Sequence, residues 1–384
     1  KAALFSTTTG ASNTAVGHAA LSGNTTAGNG TAVGYAALAN NTTGASNVAI
    51  GAYALDACTT SVSNVCVGTG AGGAITTGNG ENVCVGNNCA AAMTTGQQNI
   101  IMGDNAGAGG AITGSLNTII GDNAGYNITT ATGMVFVGAS SGHTKTDGND
   151  CIAIGQNALY TATSGANNVV AIGFNALKLL TSGHTNVAVG GYAMDNLTTG
   201  TYNVAVGDNA GNTVTTCSNC TYIGRACNGS ADTNSYEQIL GAGLAGKGSN
   251  TTYLGGSSGS YNVANSSSFA TTSDRRIKKN IVDNNVGLSA ISQIQVRNFE
   301  YRNQEEIIQD APELTDVVKS AAVEKEGVQL GVIAQEIETV LPDVVKTLDT
   351  GVLTVDPDNL TWYLVNAIKE LSAEVSALKS QINN

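Results

Sequence analysis

The stretch Asn186-Val-Ala-Val-Gly190-Gly-Tyr-Ala-Met-Asp-Asn-Leu-Thr-Thr-Gly200-Thr-Tyr-Asn203-Val-Ala-Val-Gly207 decides the fold, because it begins and ends on the same five residues one repeat apart. Working outward in both directions, a glycine preceded by an aliphatic residue or Met recurs at 17, 34, 51, 68, 86, 103, 121, 138, 155, 173, 190, 207, 224, 241 and 255. The spacing is 17 or 18 residues until a last step of 14. The column before the glycine is apolar in every copy, from Val16 to Leu254, and reads as a buried stripe. Small residues such as Ala20, Ala37 and Ala54 follow three places after the glycine, so little space exists there. Asn13, Asn47, Asn64, Asn82, Asn99, Asn117, Asn186 and Asn203 stand four places before it, in position to hydrogen-bond from coil to coil. The triplet ahead of each glycine is apolar and mostly β-branched at consecutive positions, which predicts a short strand buried on both faces. A unit of this size cannot cover its own apolar side and must stack on copies of itself. The expected fold is therefore mainly β: a β-solenoid of about 15 coils over residues 1–256, about 70 Å long at roughly 4.8 Å per coil.

Composition divides the chain near residue 272. Residues 1–272 hold 5 Lys/Arg, 10 Asp/Glu, no proline and all eight cysteines, whereas residues 273–384 hold 11 Lys/Arg, 18 Asp/Glu and all three prolines. The predicted parts are a shaft at 1–256, a neck at 257–272 and a small α+β domain at 273–384. A net charge of −12 leaves no electrostatic footprint for nucleic acid. No apolar run is long enough to cross a bilayer, so membrane insertion is not expected. Because the chain begins at Lys1 and not at Met, further sequence is expected upstream.

Read by column, Cys66, Cys84, Cys89 and Cys227 replace alanines and serve as small core residues, Cys151 and Cys220 occupy the asparagine column, and Cys58 and Cys217 fall in turns. Cys217-Ser-Asn-Cys220 lacks the second pair that a zinc site needs. His18, His143 and His184 lie far apart and read as surface or interface residues. The Gly-Asp-Asn-Ala-Gly turns at 103–107, 121–125 and 207–211 are read as turn chemistry and not as calcium loops. No cofactor or metal is expected, and no motif supports catalysis on an external substrate.

The wording Asn-Thr-Ala-Val-Gly-His/Tyr-Ala-Ala-Leu over residues 10–256 resembles the head repeats of trimeric autotransporter adhesins and the β-roll shafts of phage tail fibres. That resemblance implies three chains side by side, while the period alone also allows a single-chain solenoid. Further on, Thr271-Thr-Ser-Asp-Arg-Arg-Ile-Lys-Lys-Asn-Ile281, Val296-Arg-Asn-Phe-Glu-Tyr301 and Leu330-Gly-Val-Ile-Ala-Gln-Glu-Ile-Glu-Thr-Val-Leu-Pro-Asp-Val-Val345 occur in order. Together with the helix-forming tail they resemble the endosialidase-type intramolecular chaperone, a self-cleaving Ser/Lys peptidase at the C-terminus of phage tail spikes and fibres. The resemblance implies an autocatalytic serine endopeptidase acting in cis, with Ser273 as nucleophile, Lys278 as general base, and cleavage at the bond adjacent to Ser273. It also implies a homotrimer on a virion, carrying a host-attachment shaft that meets a surface glycan or protein and upstream tail components. The alternative is a bacterial surface adhesin or extracellular filament; an autotransporter adhesin is expected to continue into a membrane-anchoring barrel. Serine needs a base, and lysine serves only where burial lowers its pKa. Taken alone, Ser273 also reads as a helix N-cap. Apolar residues at Leu364, Ile368, Leu371, Val375, Leu378 and Ile382 alternate four and three apart, the pattern of a trimerising coiled-coil seam.

Overall fold

The computed structural model describes residues 2–78, 80–163, 165–255, 275–317, 323, 325–348 and 351–383. It divides into two compact units, Lys1–Gly256 and Ser257–Asn384.

In the first unit the fifteen triplets form fifteen three-residue strands, from Thr14–Val16 to Thr252–Leu254, joined in one sheet in chain order. Every pairing is parallel and keeps equivalent residues opposite one another, for example Val48↔Val65, Ala49↔Cys66 and Ile50↔Val67. The first unit is therefore a mainly β, parallel solenoid. Each coil contributes one strand. Burial within the triplet alternates: the middle residues, such as Ala49, Cys66, Ile101 and Phe136, are fully enclosed, while the residues on either side face outward. The column before the glycine is thus not in the core, contrary to the reading from sequence. Val16 is 59% exposed and Ile50 41% exposed in the single chain. Backbone alternation imposes this outcome, since successive side chains of a strand must point to opposite faces whatever their polarity.

Each strand stops at its glycine because the next coil leaves no room for a side chain. At Gly51 φ is +134° and a Cβ would stand 2.4 Å from the Gly68 carbonyl oxygen. Beyond it the wall opposite the sheet is not β. Residues two and four places past the glycine, such as Tyr53 (φ 58°) and Leu55 (φ 50°), take left-handed backbone angles that bulky residues rarely adopt. The strain persists because stacking satisfies the resulting N–H groups between coils: Tyr53 N–H donates to Tyr35 O at 2.8 Å and Leu55 N–H to Ala71 O at 3.0 Å. Leu21, Leu38 and Leu55, brought inward by this geometry, fill the core with the alanine column.

Two side-chain ladders reinforce the stack. In the interior, Nδ2 of Asn64, Asn82, Asn99 and Asn117 donates to Oδ1 of the preceding asparagine, at 3.0 to 3.2 Å. The same oxygens accept the next coil's backbone N–H, as Asn82 Oδ1 does from Asn99 at 3.0 Å. At the turns, the hydroxyls of Thr25, Thr42 and Thr59 each donate to the following coil's threonine carbonyl at 3.0 Å.

The second unit is a small α+β body. Strand Arg297–Phe299 pairs antiparallel with Gln329–Gly331, and Val345–Thr347 with Leu353–Val355. Helices Leu288–Ile291, Gln304–Asp310 and Ala334–Glu338 precede a long helix, Pro357–Ile382, which starts where Asp356 accepts from the N–H groups of Asp358 and Asn359. Its core is thin: Ala290, Ile337, Leu341, Val344 and Tyr363 form the buried cluster.

Candidate functional site: the segment around Lys278 and the terminal helix

Ser273 lies outside the described residues. Lys278 follows the short 3-10 turn Arg275–Ile277, its N–H donating to Arg275 O at 3.2 Å, and it is exposed in the single chain. Ile277, Ile281 and Val282 beside it are exposed too, Val282 by 84%. Four apolar side chains in a row of exposed backbone, counting Val286, make a surface that water does not favour.

What holds this segment is the terminal helix. Asn366 Nδ2 donates to Asn284 O at 2.7 Å and to Val286 O at 3.2 Å, and Glu370 Oε2 accepts the Leu288 N–H at 2.7 Å. Glu370 and Leu288 meet because Gly287 packs directly on the helix backbone: a Cβ there would come within 2.9 Å of Ala367 N. One turn earlier the Tyr363 hydroxyl is hydrogen-bonded to Asp343, an interaction that pushes the phenol above its ordinary pKa. A short cleft opens between 282–285 and the helix, with Trp362 on its rim, 68% exposed. Glu370 thus caps backbone of the preceding segment. Asn366 carried no periodic or motif signal, so nothing in the sequence distinguished it.

Past Glu370 the helix leaves the body of its unit. Its buried residues are Tyr363 and Ala367, while Leu364, Ile368, Leu371, Val375, Leu378 and Ile382 are all exposed, Ile382 by 81%. An apolar stripe on an unaccompanied helix and the outward apolar columns of the solenoid are two separate surfaces of one chemical kind.

Elsewhere the cysteines are all buried and free. Burial pushes the thiols of Cys58 and Cys227 up to about 11. At Cys217 and Cys220 the interaction of the two sulfurs holds the first thiol up and the second down. The Cys66 and Cys84 positions face each other across adjacent strands. Among the described residues no group of three or more His, Cys, Asp or Glu is arranged to hold a metal. No described helix is long and apolar enough to cross a membrane.

Residues 273–346 match the family model of the chaperone of endosialidase. No curated protein matches the chain. Members of that family are autocatalytic intramolecular chaperones. A chaperone-of-endosialidase domain following a parallel β-solenoid fits a protein of the tail-fibre or tail-spike kind.

Proposed function

We propose that this chain is the distal part of a homotrimeric phage tail fibre or tail spike, whose C-terminal domain assembles three chains and then cuts itself away. The observation that supports this most directly is the exposure of Lys278 and of the apolar residues around it in a single chain. A lysine can take the proton of a serine hydroxyl only when desolvation favours its neutral form. Neighbouring copies packed against Ile277, Ile281 and the seam of the terminal helix would supply that desolvation. In the reaction, Lys278 Nζ accepts the Ser273 Oγ proton, Oγ attacks the carbonyl carbon of the adjacent peptide bond, and the proton passes to the leaving amine. Water then releases the ester. The outward columns of the solenoid meet their equivalents in the trimer, and the remaining walls, rich in Thr, Asn and Gly, face the host. Freshly expressed wild type should release the 273–384 fragment without added protease, and Ser273→Ala should retain it while still forming trimers. Retention of the fragment by wild-type trimers would overturn the proposal.

A further inference from the structure

One core position of the solenoid departs from its column. Seven residues past the strand-ending glycines the buried residue is apolar in most coils, as at Cys58, Ile75, Met93 and Leu180, and a neutral amide at Asn24 and Asn41. In the coil that follows Gly138 the same place holds Lys145, 0% exposed. It forms no ion pair among the described residues. Its Nζ donates to Thr163 O at 2.8 Å and to Ala166 O at 2.6 Å, both in the next coil. Desolvation lowers its pKa, with Cys151 and Asp147 acting in the opposite direction. An unpaired ammonium at such a depth is costly, whereas a neutral amine is not. Two carbonyls take two of its hydrogens, and a base that removes a third proton leaves a lone pair on Nζ.

The surroundings of that lone pair are reactive. Asn167 follows Ala166 directly, and its Oδ1 accepts the Asn149 N–H at 3.2 Å. A Cβ placed on Gly148 would lie 3.1 Å from Lys145 Nζ and also 3.1 Å from Asn167 Cγ, so those two atoms are no more than about 6 Å apart. Gly148, with φ of +89° and no side chain, admits the Asn167 carboxamide beside Lys145: a Cβ there would stand 2.0 Å from Asn167 Oδ1. Two residues from Lys145, Asp147 Oδ1 is buried with no hydrogen-bond partner among the described residues, as is His143 Nδ1. Orphaned buried polar atoms are rare and call for an explanation.

We propose that Lys145 and Asn167 join in an isopeptide bond between adjacent coils, with Asp147 carrying the proton. Nζ attacks Asn167 Cγ and forms a tetrahedral centre. The Asp147 carboxylate takes a proton from the attacking nitrogen and delivers it to the carboxamide nitrogen. The old Cγ–N bond then breaks, ammonia leaves, and a secondary amide links the two side chains. No oxidant or cofactor is needed, since amine and carboxamide exchange for amide and ammonia. A desolvated lysine is a competent nucleophile for this step, and the stacked coils hold the two groups together so that the attack is intramolecular.

The test is mass spectrometry of the folded full chain, unfolded and digested with trypsin after purification. The expected result is a loss of one ammonia from the region 145–167, carried by a single looped peptide that spans both residues because the acylated Lys145 is not cut. Lys145→Met, which restores the residue type of the Met93 position, and Asn167→Ala should both yield linear peptides of full mass. Asn167→Asp should lose water in place of ammonia. Asp147→Asn keeps the size of the side chain and should fold with an unchanged circular dichroism spectrum while remaining unlinked. Linear peptides of full mass from folded wild type would overturn the inference, and a fully linked Asp147→Asn would overturn the role given to Asp147.

Discussion

Replacing Asn82 with alanine tests the interior amide ladder at its most connected rung. Asn82 is fully buried; its Nδ2 donates to Asn64 Oδ1 at 3.0 Å and to Gly96 O at 2.9 Å. Its Oδ1 accepts the Asn99 backbone N–H at 3.0 Å and Asn99 Nδ2 at 3.2 Å. Alanine removes all four bonds. Asn64 Oδ1 keeps the Asn64-side ladder's other donor, the Asn82 N–H, and Asn99 Nδ2 keeps Gly114 O. Gly96 O and the Asn99 N–H are the two groups left unsatisfied. Each costs about 1–3 kcal/mol when buried without a partner, so the variant should lose roughly 2–6 kcal/mol before any cavity is counted. Thr43→Ala, at an exposed turn position outside the left-handed wall, should change stability by no more than about 0.5 kcal/mol. Denaturant unfolding of the two variants gives the difference, and hydrogen exchange locates it, because the Asn99 amide should lose protection first. Equal stability of the two variants, or an Asn99 amide as slow as in wild type, would refute the ladder as a source of stability.

Four further outcomes are expected. Lys278→Ala and Lys278→Arg should both retain the C-terminal fragment, the second because guanidinium stays protonated and cannot act as the base; gel mobility decides. Leu371→Asp, on the exposed stripe of the terminal helix, should give monomers that also fail to cleave, and a cleaving monomer would separate assembly from chemistry. With the Cys58 and Cys227 thiols held near 11 by burial, alkylating reagents at neutral pH should leave these two cysteines of the folded shaft unmodified, and reductant should leave its melting temperature in place. Asp356 is held below the ordinary carboxylate range by the hydrogen bond from Lys346. A depressed carboxylate adds stability above its unfolded pKa and loses it as pH falls through the folded value. The terminal helix should therefore loosen on acidification, and Asp356→Ala should remove that part of the pH dependence, as followed by helical circular dichroism.

The repeat in the sequence was enough to locate every strand, because glycine marks a fixed place in every coil and asparagine one in eight of them, and both have physical reasons to be there. Whether Val48, Ala49 or Ile50 faces the core was not legible, since all three are apolar and only backbone alternation separates them. The left-handed wall escaped for a different reason. Nothing intrinsic to Tyr53 or Leu55 favours positive φ, and the hydrogen bonds that impose it come from coils on either side. In the C-terminal unit the ordered motifs brought out the family, and the alternation of Leu364, Ile368 and Leu371 brought out the stripe. The anchoring of 284–288 by Asn366 and Glu370 spans about eighty residues of sequence and leaves no periodic trace.

Because each coil of the solenoid bonds to the one before and the one after, with equivalent residues always opposite, the shaft has no feature that depends on how many coils it contains. Duplicating or deleting a whole coil restores the same contacts across the join. Length is therefore a separate variable from stability and surface chemistry, adjustable in increments of about 4.8 Å. The number of repeats is in this sense a ruler, graduated one coil at a time.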